Sequence, residues 1–217
     1  EINEDEHQEI NNILIVSVFS IGDYVLLRNF FNILKSEERF KHAKITLILS
    51  EAVKDLALYL DGNIIEKFFF LPHPFWKLST LEQFQATDKL FDQGLKREYD
   101  MIIYPSFNRV LLKDFNAYLQ YNIFSKESIT TSGDITATST DQFQENRFYT
   151  KVVNNICGIN RFEFENNKDL FENIVHHKIN LSRPNIPKEN VVPFEKRGSR
   201  YVVINPAAQD GFRMWHP

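Results

Sequence analysis

Short runs of apolar residues alternate along this chain with stretches in which apolar residues recur every three or four positions. The first run, residues 13–16 (ILIV), is continuous, as expected of a parallel strand buried on both faces rather than a half-exposed one. Ser20 and Gly22 then break the pattern, and Asp23 offers a cap. Leu26, Leu27, Phe30, Phe31, Ile33 and Leu34 follow at helical spacing. A strand, a tight glycine turn and a helix make the first half of a βαβ unit, whose ligands bind beyond the carboxyl ends of the strands. Asp23 is thereby expected at the mouth of a crevice.

The same alternation continues. Residues 43–50 (AKITLILS) read as a second strand, and Ala52, Val53, Leu56, Ala57 and Leu60 as a helix with Gly62 at its C-terminal cap. Residues 64–71 form a third strand that stops at Pro72-His73-Pro74, because proline cannot continue a central ladder. Thr80 with Gln83 resembles a capping box opening a helix that carries Leu81, Phe84, Leu90, Phe91 and Leu95 to about residue 97. Residues 100–104 (DMIIY) are a fourth strand, 110–121 a helix and 128–132 a short fifth strand. Asp141 with Gln144 predicts a helix through Phe148, Val152, Val153 and Ile156 to Gly158, and another helix covers 167–179. Pro184, Pro187 and Pro193 then mark a linker before a last strand, residues 201–205 (YVVIN).

The fold class that follows is α/β, a Rossmann-like doubly wound parallel sheet with its βα loops along one edge. Those loops are residues 20–23, 72–74, 105–109 and 130–134. The expected organisation is a polar lead-in over 1–12, an N-terminal domain over 13–182, a linker over 183–199 and the start of a second domain over 200–217. With no initiator methionine and an end at Met214-Trp215-His216-Pro217, the chain reads as a piece of a larger protein.

Charge and cysteine usage narrow the function classes. A net charge of −4 over 217 residues argues against a nucleic-acid partner, which would show as a basic stripe. Cys157 stands alone, so no internal disulfide forms, and a free cysteine is expected in the core. Without an apolar span or a secretory leader, the expectation is no transmembrane segment and a reducing, cytoplasmic location. Phenylalanine is over-used at 20 copies, but scattered rather than patterned.

Familiar chemical motifs are missing. The first turn has only Gly22, so a GxGxxG dinucleotide fingerprint is absent, as are a P-loop, an HExxH or CxxC metal spacing and a GxSxG elbow. The adjacent His176 and His177 diverge on a helix, and no metal is expected. Asp23 has two readings. It is a helix N-terminal carboxylate favoured by the macrodipole, or a general base needing only hydrogen-bond reach of a substrate hydroxyl. The roles pull apart, since a helix N-terminus favours an ionised carboxylate and weakens it as a base. Around it Ser20, Gly22, His73, Ser106, Asn108 and Arg109 occupy the loops of the same edge, as polar ligand contacts or as solvated loop groups, and the Arg109 fork suits an anion.

Five stretches carry a resemblance to glycosyltransferase family 9, the ADP-heptose:lipopolysaccharide heptosyltransferases and their relatives. They are ILIVSVFSIGDYVLLRNFFNIL, KITLILSEAVKDLAL with NIIEKFFFLP, YDMIIYPSFN, ENRFYTKVVNNICGI and YVVINPAAQDGFRMW. The resemblance implies a GT-B architecture of two Rossmann-like domains, of which this chain would be the N-terminal, acceptor-side half. It implies inverting transfer of a sugar such as heptose from a nucleotide-sugar substrate to a cell-envelope saccharide such as lipopolysaccharide core. Asp23 would then be the base that deprotonates the acceptor hydroxyl. Arg213, near the basic position of the family's second-domain motif, would contact the donor phosphates, although Ala207 replaces that motif's glycine and His216 separates Trp215 from Pro217. No metal or other cofactor is implied. A lipid-linked acceptor would bring the enzyme to the inner face of the cytoplasmic membrane. The rival reading is a non-catalytic saccharide- or nucleotide-binding module on the same fold. A third, an NAD-type oxidoreductase domain, predicts nicotinamide binding.

Overall fold

The computed structural model describes residues 9–105, 112–131, 149–153, 163–181 and 183–185. All lie within one compact unit, Glu1–Ile186. Six strands, β1 (Asn12–Ser17), β2 (Lys44–Ser50), β3 (Lys67–Leu71), β4 (Glu98–Tyr104), β5 (Phe124–Thr131) and β6 (Lys151–Val153), form one parallel sheet in the order β3-β2-β1-β4-β5-β6. The helices are α1 (Ile21–Ser36), α2 (Lys54–Asp61), α3 (Thr80–Asp92), α4 (Lys113–Asn122) and α5 (Glu163–Val175). This is the doubly wound, Rossmann-like arrangement expected from the apolar pattern.

The strand order reverses beside β1, which pairs with β2 through Ile13↔Ile45 and Ile15↔Leu47 and with β4 through Ile13↔Met101 and Ile15↔Ile103. Helix α1, which follows β1, and helix α4, which follows β4, therefore pack on opposite faces, the arrangement that in doubly wound sheets puts the ligand crevice at the ends of these two strands. The period-two geometry of strands divides the core accordingly. Ile13, Ile15, Leu47 and Met101 pack with α1, α2 and α5, while Leu14, Val16, Ile48 and Ile102 pack with α3 and α4. Every residue of β1 from Ile13 to Ser17 is buried, which is why its sequence shows no alternation.

The phenylalanines that look scattered in sequence converge here. Phe30 of α1 stacks on Phe171 of α5 with ring centroids 4.9 Å apart and meets Phe164 at 5.4 Å. On the opposite face Phe75 meets Phe115 edge-on at 4.8 Å. Each such pair adds about 1 kcal/mol beyond the burial of its rings.

Several local expectations are corrected. Helix α3 is capped one residue earlier than Thr80, by Ser79, whose N–H and hydroxyl both donate to Glu82. That helix stops at Asp92, five residues short of the expected end, where Gly94 adopts φ +89. Val152 and Val153 lie in the edge strand β6 rather than in a helix, because Thr131↔Val153 pairing extends the sheet. Strand β5 begins at Phe124, four residues before the expected start, and its first half is held by backbone pairing to β4 rather than by burial. Helix α5 starts at Glu163 and ends at Val175, the left-handed His176 (φ 62) closing it. The strand expected at 201–205 and the core position expected for Cys157 fall outside the described residues.

Candidate functional site

The carboxyl end of β1 runs through buried Val18 and half-buried Phe19 to Ser20, the N-cap of α1. Asp23 is the third residue of that helix, and its Oδ2 accepts the Ser20 backbone N–H at 2.9 Å. This is the carboxylate half of a capping box, which satisfies an otherwise orphaned donor. The capping reading of Asp23 is thus realised. The carboxylate remains half-exposed, and among the described residues nothing bonds to Oδ1.

Gly22 is not in a special turn. It is the second residue of α1 with ordinary helical backbone, and a Cβ built on it meets nothing within 4 Å. The expected tight glycine turn is therefore replaced by direct entry from Ser20 into the helix. What glycine provides is open space above the helix N-terminus, where backbone N–H groups favour oxygen-rich or anionic ligands.

Below the turn α1 is fastened by a network out of water. Arg28, 3% exposed, donates from Nη2 to Asp61 Oδ1 at 2.8 Å and from Nε to Oδ2 at 3.0 Å, and Asp61 is fully buried at the end of α2. Tyr24, next to Asp23, donates its hydroxyl to the same Oδ2. Burial and the Asp61 carboxylate both push the Tyr24 phenol far above its ordinary range, so it stays protonated as a donor. Burial acts against the Arg28 charge, but hydrogen bonding and attraction from Asp61 outweigh it and hold its pKa above the usual value. The remaining Arg28 fork nitrogen, Nη1, donates to the Asn185 carbonyl at 2.8 Å, and Asn29 exchanges hydrogen bonds with the same residue. Helix α1 is thus fixed in rotation directly beneath Asp23.

His73 stands at the same edge, in the turn after β3. Its Nδ1 lies 3.0 Å from Oγ of Ser50, a fully buried residue at the end of β2. Its ring meets Trp76 edge-on at 5.1 Å, and Trp76 in turn lies 5.6 Å from Phe19, the residue before the N-cap. The structure therefore brings together Ser20, Gly22, Asp23 and His73 along one edge and adds Phe19, Ser50 and Trp76, which the sequence alone did not single out. The signal for Ser50 was available, since it is a polar residue ending an apolar strand at the ligand edge. Ser106, Asn108, Arg109 and Arg213 lie outside the described residues.

Among the described residues no group of three His, Cys, Asp or Glu side chains is placed to hold a metal ion, and no helix is long and apolar enough to cross a membrane. A half-exposed carboxylate at the sheet's reversal point and an aromatic rim together suit binding of a polyhydroxylated ligand and deprotonation of one of its hydroxyls.

No protein-family model matches the sequence, and no curated protein matches it. Solved structures do. The glycosyl transferase family 9 protein from Veillonella parvula DSM 2008 superposes with a TM-score of 0.54 at 14% identity, over 77% of this chain and 42% of that one. The E. coli heptosyltransferase WaaC with ADP gives 0.54 at 15% identity, over 80% of this chain and 50% of that one. WaaC with ADP-2-deoxy-2-fluoro heptose gives 0.54 at 14% identity, over 80% and 51%. The chain spans about half the length of these proteins. At this identity the likeness is one of fold, and the fold is that of family 9 heptosyltransferases.

Proposed function

We propose that this chain is the acceptor-binding half of a glycosyltransferase in which Asp23 activates the acceptor hydroxyl. The single observation that carries the reading is the position of Asp23. It presents a half-exposed carboxylate at the sheet's reversal point, on a fold shared with family 9 structures. In the reaction Asp23 accepts the proton of a sugar hydroxyl while that oxygen attacks the anomeric carbon of a nucleotide sugar. The C–O bond to the nucleotide breaks with inversion, and the electron pair leaves on the nucleoside diphosphate. Oδ2 is held by the cap, and Oδ1, to which nothing bonds among the described residues, is left to take the proton. The neighbours bound to ADP and an ADP-heptose analogue support a nucleotide-sugar donor. The donor would sit on a second domain beginning near residue 200, with Arg213 at its phosphates. A cell-envelope saccharide such as lipopolysaccharide core, presented at the cytoplasmic face of the membrane, suits the acceptor role.

One observation favours the rival, a saccharide-binding module without chemistry: half of the Asp23 carboxylate is already occupied in capping. Donor turnover separates the two. Incubating the protein encoded by the complete gene with ADP-heptose and deacylated lipopolysaccharide core yields a glycosylated product on the enzyme reading and none on the module reading. The 217-residue chain alone yields none on either.

A further inference from the structure

Three partly exposed rings converge near the N-terminus of α1, Phe19 from the segment after β1, His73 from the turn after β3 and Trp76 from the short 3-10 helix Phe75–Lys77 that follows it. Phe19 immediately precedes the N-cap, and its ring lies 5.6 Å from that of Trp76 at a 34° tilt. His73 meets the same indole edge-on at 5.1 Å and 79°. Phe19 and Trp76 are half-buried against the core on the α3 and α4 side, which fixes their planes, while His73 is exposed. Fully buried Ser50 takes up His73 Nδ1 at 3.0 Å, and among the described residues nothing bonds to Nε2. Gly22 leaves the space over the adjoining helix N-terminus open.

We propose that Trp76, flanked by Phe19 and His73, is the platform on which one pyranose ring of the acceptor stacks, a proposal that rests on the glycosyl-transfer reading above. A pyranose has one or two faces of axial C–H bonds and a rim of hydroxyls. The faces pack on an aromatic plane without losing hydrogen bonds, and the rim needs polar groups at the edge of that plane. The half-buried indole would supply the plane, the exposed His73 ring against it a hydrogen-bonding group, and Asp23, close after Phe19 in the chain, an acceptor. A fixed indole costs little conformational entropy on binding, which suits a weak, specific sugar contact. The net charge of −4 disfavours a nucleic-acid base as the stacked group.

The chain has two tryptophans, Trp76 and Trp215, so Trp215→Phe leaves Trp76 as the sole tryptophan, whose emission is read by exciting on the red edge, where tyrosine does not absorb. Titrating this 217-residue variant with methyl glycopyranosides should shift Trp76 emission saturably for at least one sugar. By saturation-transfer NMR, Trp76→Ala should weaken binding about tenfold while Trp76→Phe retains most of it, with unchanged circular dichroism showing that both variants fold. Glycoside binding that leaves Trp76 emission unchanged and survives Trp76→Ala overturns the platform and leaves the glycosyl-transfer reading standing. Absence of glycoside binding, or an emission change given by ADP in place of the glycosides, also overturns the platform. The transfer reading then stands or falls on donor turnover alone.

Discussion

Arg28 and Asp61 form a bidentate ion pair in the interior, Nη2 to Oδ1 at 2.8 Å and Nε to Oδ2 at 3.0 Å, and so tie α1 to the end of α2. Removing one partner leaves the other charge buried without compensation, a loss of about 3–5 kcal/mol. Arg28→Ala should therefore lower the unfolding free energy by an amount of that order, whereas Tyr24→Phe, which removes one donor to the Asp61 carboxylate, should cost about 1.5–3 kcal/mol. Urea denaturation of the two variants checks the ranking.

Gly22 separates a structural demand from a ligand demand. A Cβ at this helical position meets no atom within 4 Å, so Gly22→Ala should leave stability unchanged or raise it by up to about 1 kcal/mol. If a substrate approaches the helix N-terminus there, the added methyl should nevertheless lower transfer. A variant with raised thermal midpoint and undiminished transfer would show that no ligand comes close at Gly22.

Asp100 gives a pH dependence of defined sign. Partial burial pushes its pKa up, but Lys126 at 2.9 Å and the N–H groups of Asn11 and Asn12, each at 2.9 Å, outweigh this and hold it below the usual carboxylate range. A depressed folded-state pKa means the ionised form stabilises the fold. That stability is present above the unfolded value, near 4, and is lost as pH falls through the lower folded value. Asp100→Asn should flatten this acid limb in a stability–pH profile while changing little near neutrality beyond a constant offset.

Much of this architecture was legible in the chain, and the exceptions have physical causes. β1 and the start of α1 were readable because a strand buried on both faces is continuously apolar and the break at Ser20 coincides with the helix N-cap, whereas the tight glycine turn expected there is helix. The cap of α3 slipped by one residue because Ser79 and Thr80 are both competent caps and Glu82 and Gln83 both competent partners. β5 was read short because Ser125, Lys126 and Glu127 carry no apolar signal, and β6 was misread because the two valines that end a three-residue strand fit either period. The aromatic rim and the Arg28–Asp61 pair depend on contacts across 57 and 33 positions of sequence, to which local periodicity is blind. At the candidate site Ser20, Gly22, Asp23 and His73 were placed on the ligand edge from sequence and Ser50 carried a readable signal there, while Trp76 became visible only once the sheet brought its segment beside Phe19.

The central claim is that the Asp23 carboxylate removes the acceptor proton, and Asp23→Asn tests it most directly. Asparagine can still accept the Ser20 N–H, so the cap persists and stability should change by no more than about 1 kcal/mol. Transfer should be compared between the wild-type protein encoded by the complete gene and this variant, using ADP-heptose, deacylated lipopolysaccharide core and mass-spectrometric detection of product. A fall of about a hundredfold or more at an unchanged thermal midpoint is the predicted result. Transfer retained within a few-fold of wild type would contradict it and leave Asp23 as a helix cap alone.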